Sequence, residues 1–182
     1  MSAEIVAFAA TSAAQRESAA AILIAALAHV ASAWRDLTEA REEVASFIGN
    51  PERLAFAAID GSHVLGWIGA IRHTEHAWEL HPLVVDPVHQ RRGCGTRLVR
   101  ALEAAAREAG IATIWLGTDD DFGGTNLFGC DLYPDVLGRL QHLKPAGGHP
   151  YTFYHGLGYA VVGVLPDVDG PGKHDILMAR RL

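Results

Sequence analysis

Cysteine is scarce. The 182 residues contain two, Cys94 and Cys130, with no CxxC pair. That argues against a disulfide framework or a zinc site built on paired thiols, and it fits a reducing cytoplasm. Ten histidines are present, but none lies in HExxH or at a metal-ligand spacing from a cysteine, so no metal centre is expected. An excess of positive charge is missing too. Lys plus Arg is 15 against 21 Asp plus Glu, a net charge of −6. This argues against nucleic acid as a partner and mildly favours a cationic substrate, although the same charge also serves plain solubility. No apolar run is long enough for a bilayer. Ala19 to Ala33 is alanine-rich but interrupted by His29 and too short, so it is expected to pack as a helix and not to enter a membrane. Neither GxxxxGK followed by Ser or Thr nor GxGxxG occurs, which removes the mononucleotide P-loop and the dinucleotide fingerprint.

What is present is ordinary globular composition, 49% hydrophobic and 20% charged. At this length one domain spanning residues 1–182, with a proper core, is expected. Its chemistry concentrates between Trp78 and Arg100. Trp78 to Val85 is an apolar, β-branched run that reads as a strand, and Asp86-Pro87 breaks it. Gly93 and Gly95 follow, and Thr96 to Ala109 has apolar residues at helical spacing. A strand leading through a basic, glycine-bearing turn into a helix makes an anion cradle. The first helical amides have no carbonyl partners, the helix dipole adds positive charge, and glycine lets the backbone approach phosphate oxygens.

The remaining elements alternate in type. Glu4 to Ala9 reads as a strand. A helix capped by Thr11 or Ser12 runs to about Val30, and another starts at Thr38 and runs to about Ile48, with Trp34 in the link. Gly49-Asn50-Pro51 stops that helix. Leu54 to Ile59 and Val64 to Ile71 form a hairpin at Asp60-Gly61. Ile111 to Leu116 is the next strand, ending at Gly117-Thr118-Asp119-Asp120. An irregular stretch from Phe122 to Tyr133 precedes helices at Pro134 to Leu143 and Pro150 to Leu157. Strands at Gly158 to Leu165 and His174 to Ala179 close the chain. The order predicts an α/β protein with a central mixed sheet flanked by helices, antiparallel at first and parallel around the helix after Gly95.

Gln90-Arg91-Arg92-Gly93-Cys94-Gly95 resembles the Q/R-x-x-G-x-G/A signature of the GNAT N-acetyltransferases. A closer resemblance, to the aminoglycoside 6'-N-acetyltransferases, rests on motifs in the expected order. They are Asn50-Pro51-Glu52-Arg53, Trp78 to Val85, Leu116 to Asp120, Asp131-Leu132-Tyr133, His149-Pro150-Tyr151, Phe153-Tyr154, Leu157-Gly158-Tyr159, Val162 to Pro166 and Asp175-Ile176. Two departures stand out. In the N-terminal third only Trp34 and Glu42-Glu43-Val44 are similar, and Cys94 replaces a more usual branched apolar residue. The resemblance implies the GNAT acyl-CoA N-acyltransferase fold, acetyl-CoA as co-substrate, an aminoglycoside as acceptor, antibiotic resistance as outcome, and a cytoplasmic homodimer.

It also implies roles. The backbone of Leu83, Val84 and Val85 would hold the acetyl carbonyl and pantetheine arm, and Gln90, Arg91, Arg92, Gly93, Cys94, Gly95 and Thr96 the pyrophosphate. Glu79 and His81 share a strand face, roughly 7 Å apart, because side chains alternate. There they can bind an ammonium and take its proton; equally, Glu79 can pair with an arginine and His81 can cap the strand before Pro82. The resemblance favours Glu79 for amine binding or base work and His81 for positioning. It places Tyr154 as proton donor to the departing sulfur, whereas Tyr159 reads as core. Asp119 and Asp120 at a strand end suit a cationic substrate, but such acids are also ordinary caps. Trp34 can stack on a sugar or staple the first two helices. Cys94 reads as a packing residue, since direct transfer needs no nucleophilic enzyme group. Transfer to a polyamine, another small amine or a protein terminus is the neighbouring alternative; an acetyl-CoA sensor without turnover is the more distant one.

Overall fold

The computed structural model describes residues 3–28, 30 and 33–182. The chain opens with strand β1, Glu4–Ala7, shorter than expected. It turns early because Phe8 dives into the core within a single 3-10 turn, Phe8–Ala10, closed by the Thr11 hydroxyl donating to the Phe8 carbonyl at 2.6 Å. Ser12 caps helix α1, Ala13–Ala26, in a capping box with Gln15. The helix stops four residues short of Val30; His29 lies outside the described residues. Helix α2, Leu37–Ser46, is capped by Asp36 and not by Thr38. An aspartate offers the helix dipole a full negative charge, and its Oδ1 accepts from the amides of Thr38 and Glu39 at 2.7 and 3.0 Å.

Strands β2, Arg53–Asp60, β3, His63–Arg72, and β4, Ala77–Val85, follow as expected, with Gly61 at φ 60° turning the first hairpin. Helix α3 is Cys94–Glu108. Strand β5, Thr113–Asp120, runs four residues past the predicted end, so Asp119 and Asp120 lie within it. Helices α4, Val136–Leu140, and α5, Tyr151–Gly156, are short. Strands β6, Ala160–Leu165, and β7, His174–Arg181, complete a sheet of seven strands ordered β1-β2-β3-β4-β5-β7-β6. Among the described residues no helix is long and apolar enough to cross a membrane.

Two compact units are distinguishable, residues 3–28 with 33–114 and 182, and residues 30 and 115–181. In the first, β1 to β4 form an antiparallel meander. Its core is organised on Trp67, which is fully buried, stacked on Phe8 at 5.1 Å and met edge-on by Phe47 at 5.6 Å. The indole N–H donates to the Ala19 carbonyl at 3.1 Å, so the one polar atom of this large side chain is satisfied. On α3 the apolar stripe Leu98, Val99, Leu102 and Ala106 is buried. Glu103 is buried with it, and its charge is met by Arg100 at 2.7 Å.

In the second unit β6 pairs antiparallel with β7, and Tyr159 is buried beside Tyr154. Fully buried His174 accepts from the Asp167 amide at 3.2 Å and faces the Leu127 carbonyl at 3.1 Å. It thereby ties two loops to the start of β7.

Candidate active site

Alternation along β4 decides which side chains can do chemistry. Leu80, Pro82 and Val84 point to the buried face; Glu79, His81, Leu83 and Val85 are only partly covered. The pairing with β3 is interrupted by a bulge. Ala70 pairs with Leu80 and Ile68 with Leu83, so His81 and Pro82 together oppose Gly69. Gly69 is required there. A Cβ would sit 2.5 Å from both the His81 carbonyl and the Phe47 ring. The bulge thus falls on the residues between Glu79 and Leu83, and Trp34, in the link between α1 and α2, lies 5.5 Å from the His81 ring.

Two carboxylates face this imidazole. His81 Nε2 is 3.9 Å from Glu43 Oε1 of α2, and Glu79 lies on its own strand face. Burial lowers the His81 pKa, and Glu43 and Glu79 pull it partly back up. Glu43 is in turn held by Arg53 at 3.0 Å, which also contacts the Ser46 hydroxyl at 2.8 Å and lies over the Phe47 ring. Among the described residues Glu79 pairs with no arginine; its Oε2 meets His73 Nε2 at 2.7 Å. The result is a half-exposed patch with two acids, two imidazoles and an indole, suited to a cation carrying an apolar ring face.

Beyond β4 the chain turns into α3 through a short glycine-bearing loop. Asp86 holds a 3-10 turn, Pro87–His89, by accepting from the Val88 amide at 3.0 Å. Gln90 anchors the loop, its side-chain amide donating to the Val85 carbonyl at 3.1 Å. Arg91 and Gly93 both have left-handed backbone, φ 61° and 80°. For arginine this is a conformation that surrounding structure must enforce, and such residues cluster at functional sites. Gly93 precedes α3 without a side-chain cap, and nothing lies within 4 Å of the position its Cβ would take. Arg91 and Arg92 are exposed, and among the described residues neither forms an ion pair. Uncapped amides, an open approach and two cations fit the diphosphate of a CoA. Cys94 is buried and its thiol is pushed up by burial, so it packs and offers its backbone. Gly95 and Thr96 complete the first turn.

The other predicted residues lie in the second unit. Asp119 is partly buried, and its pKa is raised to about 6 by burial and by the neighbouring acids Asp169 and Asp121. Asp120 is fully buried. Its oxygens accept from the amides of Gly124 and Thr125 at 2.7 and 3.0 Å and from the Thr125 hydroxyl at 2.5 Å, so it organises its own loop. Tyr154 is nearly buried against Phe153 and Tyr159, and burial pushes its phenol well above the usual tyrosine range. It therefore keeps its proton at neutral pH.

Sequence reasoning missed two residues of the patch around Glu79. Glu43 sits in the Glu42-Glu43-Val44 run already singled out, but helix phase alone did not say which glutamate turns inward. His73 lies six residues before Glu79, just beyond the end of β3, and the hairpin register that pairs Ile71 with Glu79 is the signal that could have found it.

A family model described as Acetyltransferase (GNAT) family matches residues 32–128. No relative was found among the curated proteins. Among solved structures, an aminoglycoside 6'-N-acetyltransferase complexed with coenzyme A is 38% identical, with a TM-score of 0.88, covering 98% of this chain and 96% of that one. The aminoglycoside 6'-N-acetyltransferase from Enterococcus faecium is 37% identical with a TM-score of 0.85 over the same shares. An aminoglycoside 6'-acetyltransferase type Ii is 34% identical with a TM-score of 0.71, again over 98% and 96%. The expected mixed sheet flanked by helices is the fold of these neighbours. With a family model spanning more than half of its residues and relatives matched along nearly all of it, the chain belongs to the acetyltransferase (GNAT) family, whose acyl donor is acetyl-CoA.

Proposed function

We propose that the protein acetylates an aminoglycoside antibiotic at its 6'-amine and thereby confers resistance. The observation that carries this reading is the near-complete alignment with aminoglycoside 6'-N-acetyltransferases at 34–38% identity. The acids Glu43 and Glu79 beside Trp34 and His81 support it, because an aminoglycoside is a polycation with apolar sugar faces. Bound acetyl-CoA supplies the thioester carbon that the amine attacks.

The chain's own residues do the rest. Glu79 binds the acceptor ammonium and takes its proton, directly or through water, so that the nitrogen lone pair is freed. His81 positions the same amine. The β4 backbone at Leu83, Val84 and Val85 orients the acyl group, and residues Gln90 to Thr96 anchor the diphosphate. Tyr154 donates its phenolic proton to the sulfur as the carbon–sulfur bond breaks. Of the acids at the end of β5, the partly exposed Asp119 is the one proposed to meet a second substrate ammonium.

Residues 1–182 are proposed to act as one catalytic domain, in the cytoplasm and as a homodimer. Edge strand β6 and the following loop expose Val162, Leu165 and Val168, apolar surface of the kind a subunit interface covers; light scattering reads the mass directly. The test of activity is CoA release from acetyl-CoA with kanamycin or tobramycin, followed by NMR of the product. Acetylation at N6' is expected. Release with polyamines but not with either drug overturns the acceptor.

A further inference from the structure

We propose that His73 is a positioning residue for Glu79, holding one carboxylate oxygen so that the other is presented to the acceptor's ammonium. This rests on the reading of Glu79 as the amine-binding carboxylate. Strand β3 ends at Arg72, and the Ala77 carbonyl accepts from the amides of both His73 and Thr74 at 3.2 Å, which closes the hairpin turn. That turn sets the imidazole beside Glu79, with Nε2 to Oε2 at 2.7 Å. The bond engages Oε2 and leaves Oε1 for a ligand.

The pair is placed for solvent and substrate to reach it. The side chains are 46% and 22% exposed, so the imidazole is the more open of the two. A glutamate on a strand can adopt several rotamers, and fixing one oxygen removes much of that freedom before the substrate arrives. Glu43, the other acid of the patch, is held by Arg53 at 3.0 Å, whereas the Glu79 carboxylate meets the His73 imidazole.

Steady-state kinetics with tobramycin varied at saturating acetyl-CoA, and with acetyl-CoA varied at saturating tobramycin, test the assignment. At pH 8 His73→Ala is expected to raise the tobramycin KM about tenfold, the worth of one hydrogen bond to a charged group, and to leave the acetyl-CoA KM unchanged. His73→Gln, which keeps an N–H donor, is expected to restore the tobramycin KM to within about twofold. An unchanged tobramycin KM in His73→Ala, equal rises in both KM values with a lowered melting temperature, or no rescue in His73→Gln overturns the proposal. Glu79→Gln separates the two levels. If it binds and turns over tobramycin normally, the underlying reading of Glu79 fails; if it is impaired while His73→Ala is not, only the role of His73 fails.

Discussion

The loops that follow β4 and β5 begin alike and end differently. Each strand runs into an acid, Asp86 just beyond β4 and Asp120 at the end of β5. Asp120 accepts three hydrogen bonds from its own loop and is sealed from solvent. Asp86 holds one amide, and the loop then continues through left-handed Arg91 and Gly93 to a helix that no side chain caps. Amides closed off by a nearby carboxylate make scaffold; amides left without such a partner make a binding surface. The same contrast separates the carboxylates themselves. Among the described residues Glu79 hydrogen-bonds one side chain and is partly exposed, whereas Asp120 has no exposed surface at all.

The sharpest way to break this comparison is at the groups proposed to move protons. Glu79→Ala is expected to lower kcat/KM for tobramycin about a thousandfold, within the span of general base catalysis, with little change in melting temperature. Tyr154→Phe, measured in the same assay, should lower kcat about tenfold to a hundredfold. Full activity in both would undo the proton-transfer roles. Next comes the uncapped loop. Gly93→Val places a β-branched residue at φ 80° and crowds the approach, so calorimetry should find acetyl-CoA affinity reduced about a hundredfold. Retained affinity would mean the α3 amides are not the cradle.

Asp120→Ala should act on stability. Removing a buried carboxylate strands three donors and is expected to cost about 3 kcal/mol, a fall of about 6–12 °C in melting temperature for a chain of this size. An unaltered melt with lost activity would make Asp120 a substrate residue after all.

The smallest effect is one of pH. The folded pKa of Asp119, about 6, lies above its ordinary value of 3.8, so its contribution to stability is greatest below about 4 and is lost as pH rises through about 6. Relative to Asp119→Asn, the wild type should therefore be most favoured near pH 4 and lose that margin by pH 7. Thermal melts of the two proteins across this range check the sign.

Much of this was legible beforehand because it depends on local pattern. Trp78 to Val85 alternates, Gly93 marks the entry to α3, and Asp60-Gly61 marks a hairpin; strand, helix start and turn emerged where expected. Element ends were less legible. Asp36 displaced Thr38 as cap of α2 because both lie within reach of the first turn, and only geometry chooses between them. Strand β5 swallowed Gly117 to Asp120, residues with the composition of a turn, because pairing within a sheet overrides weak local preference. Asp119 and Asp120, adjacent and identical in type, met opposite fates for the same reason.

The sequence by itself determined the periodicities: which residues of β4 share a face, where a helix begins without a cap, and where the chain must turn. These follow from backbone geometry over a few residues, so neighbouring letters suffice. Tertiary structure alone decided that His73 meets Glu79, that Glu43 turns toward His81, that Gly69 yields room for the Phe47 ring, and that Asp120 disappears into its loop. Such contacts depend on register and burial across segments distant in the chain, where a shift of one residue would exchange the buried face of a strand for its open one.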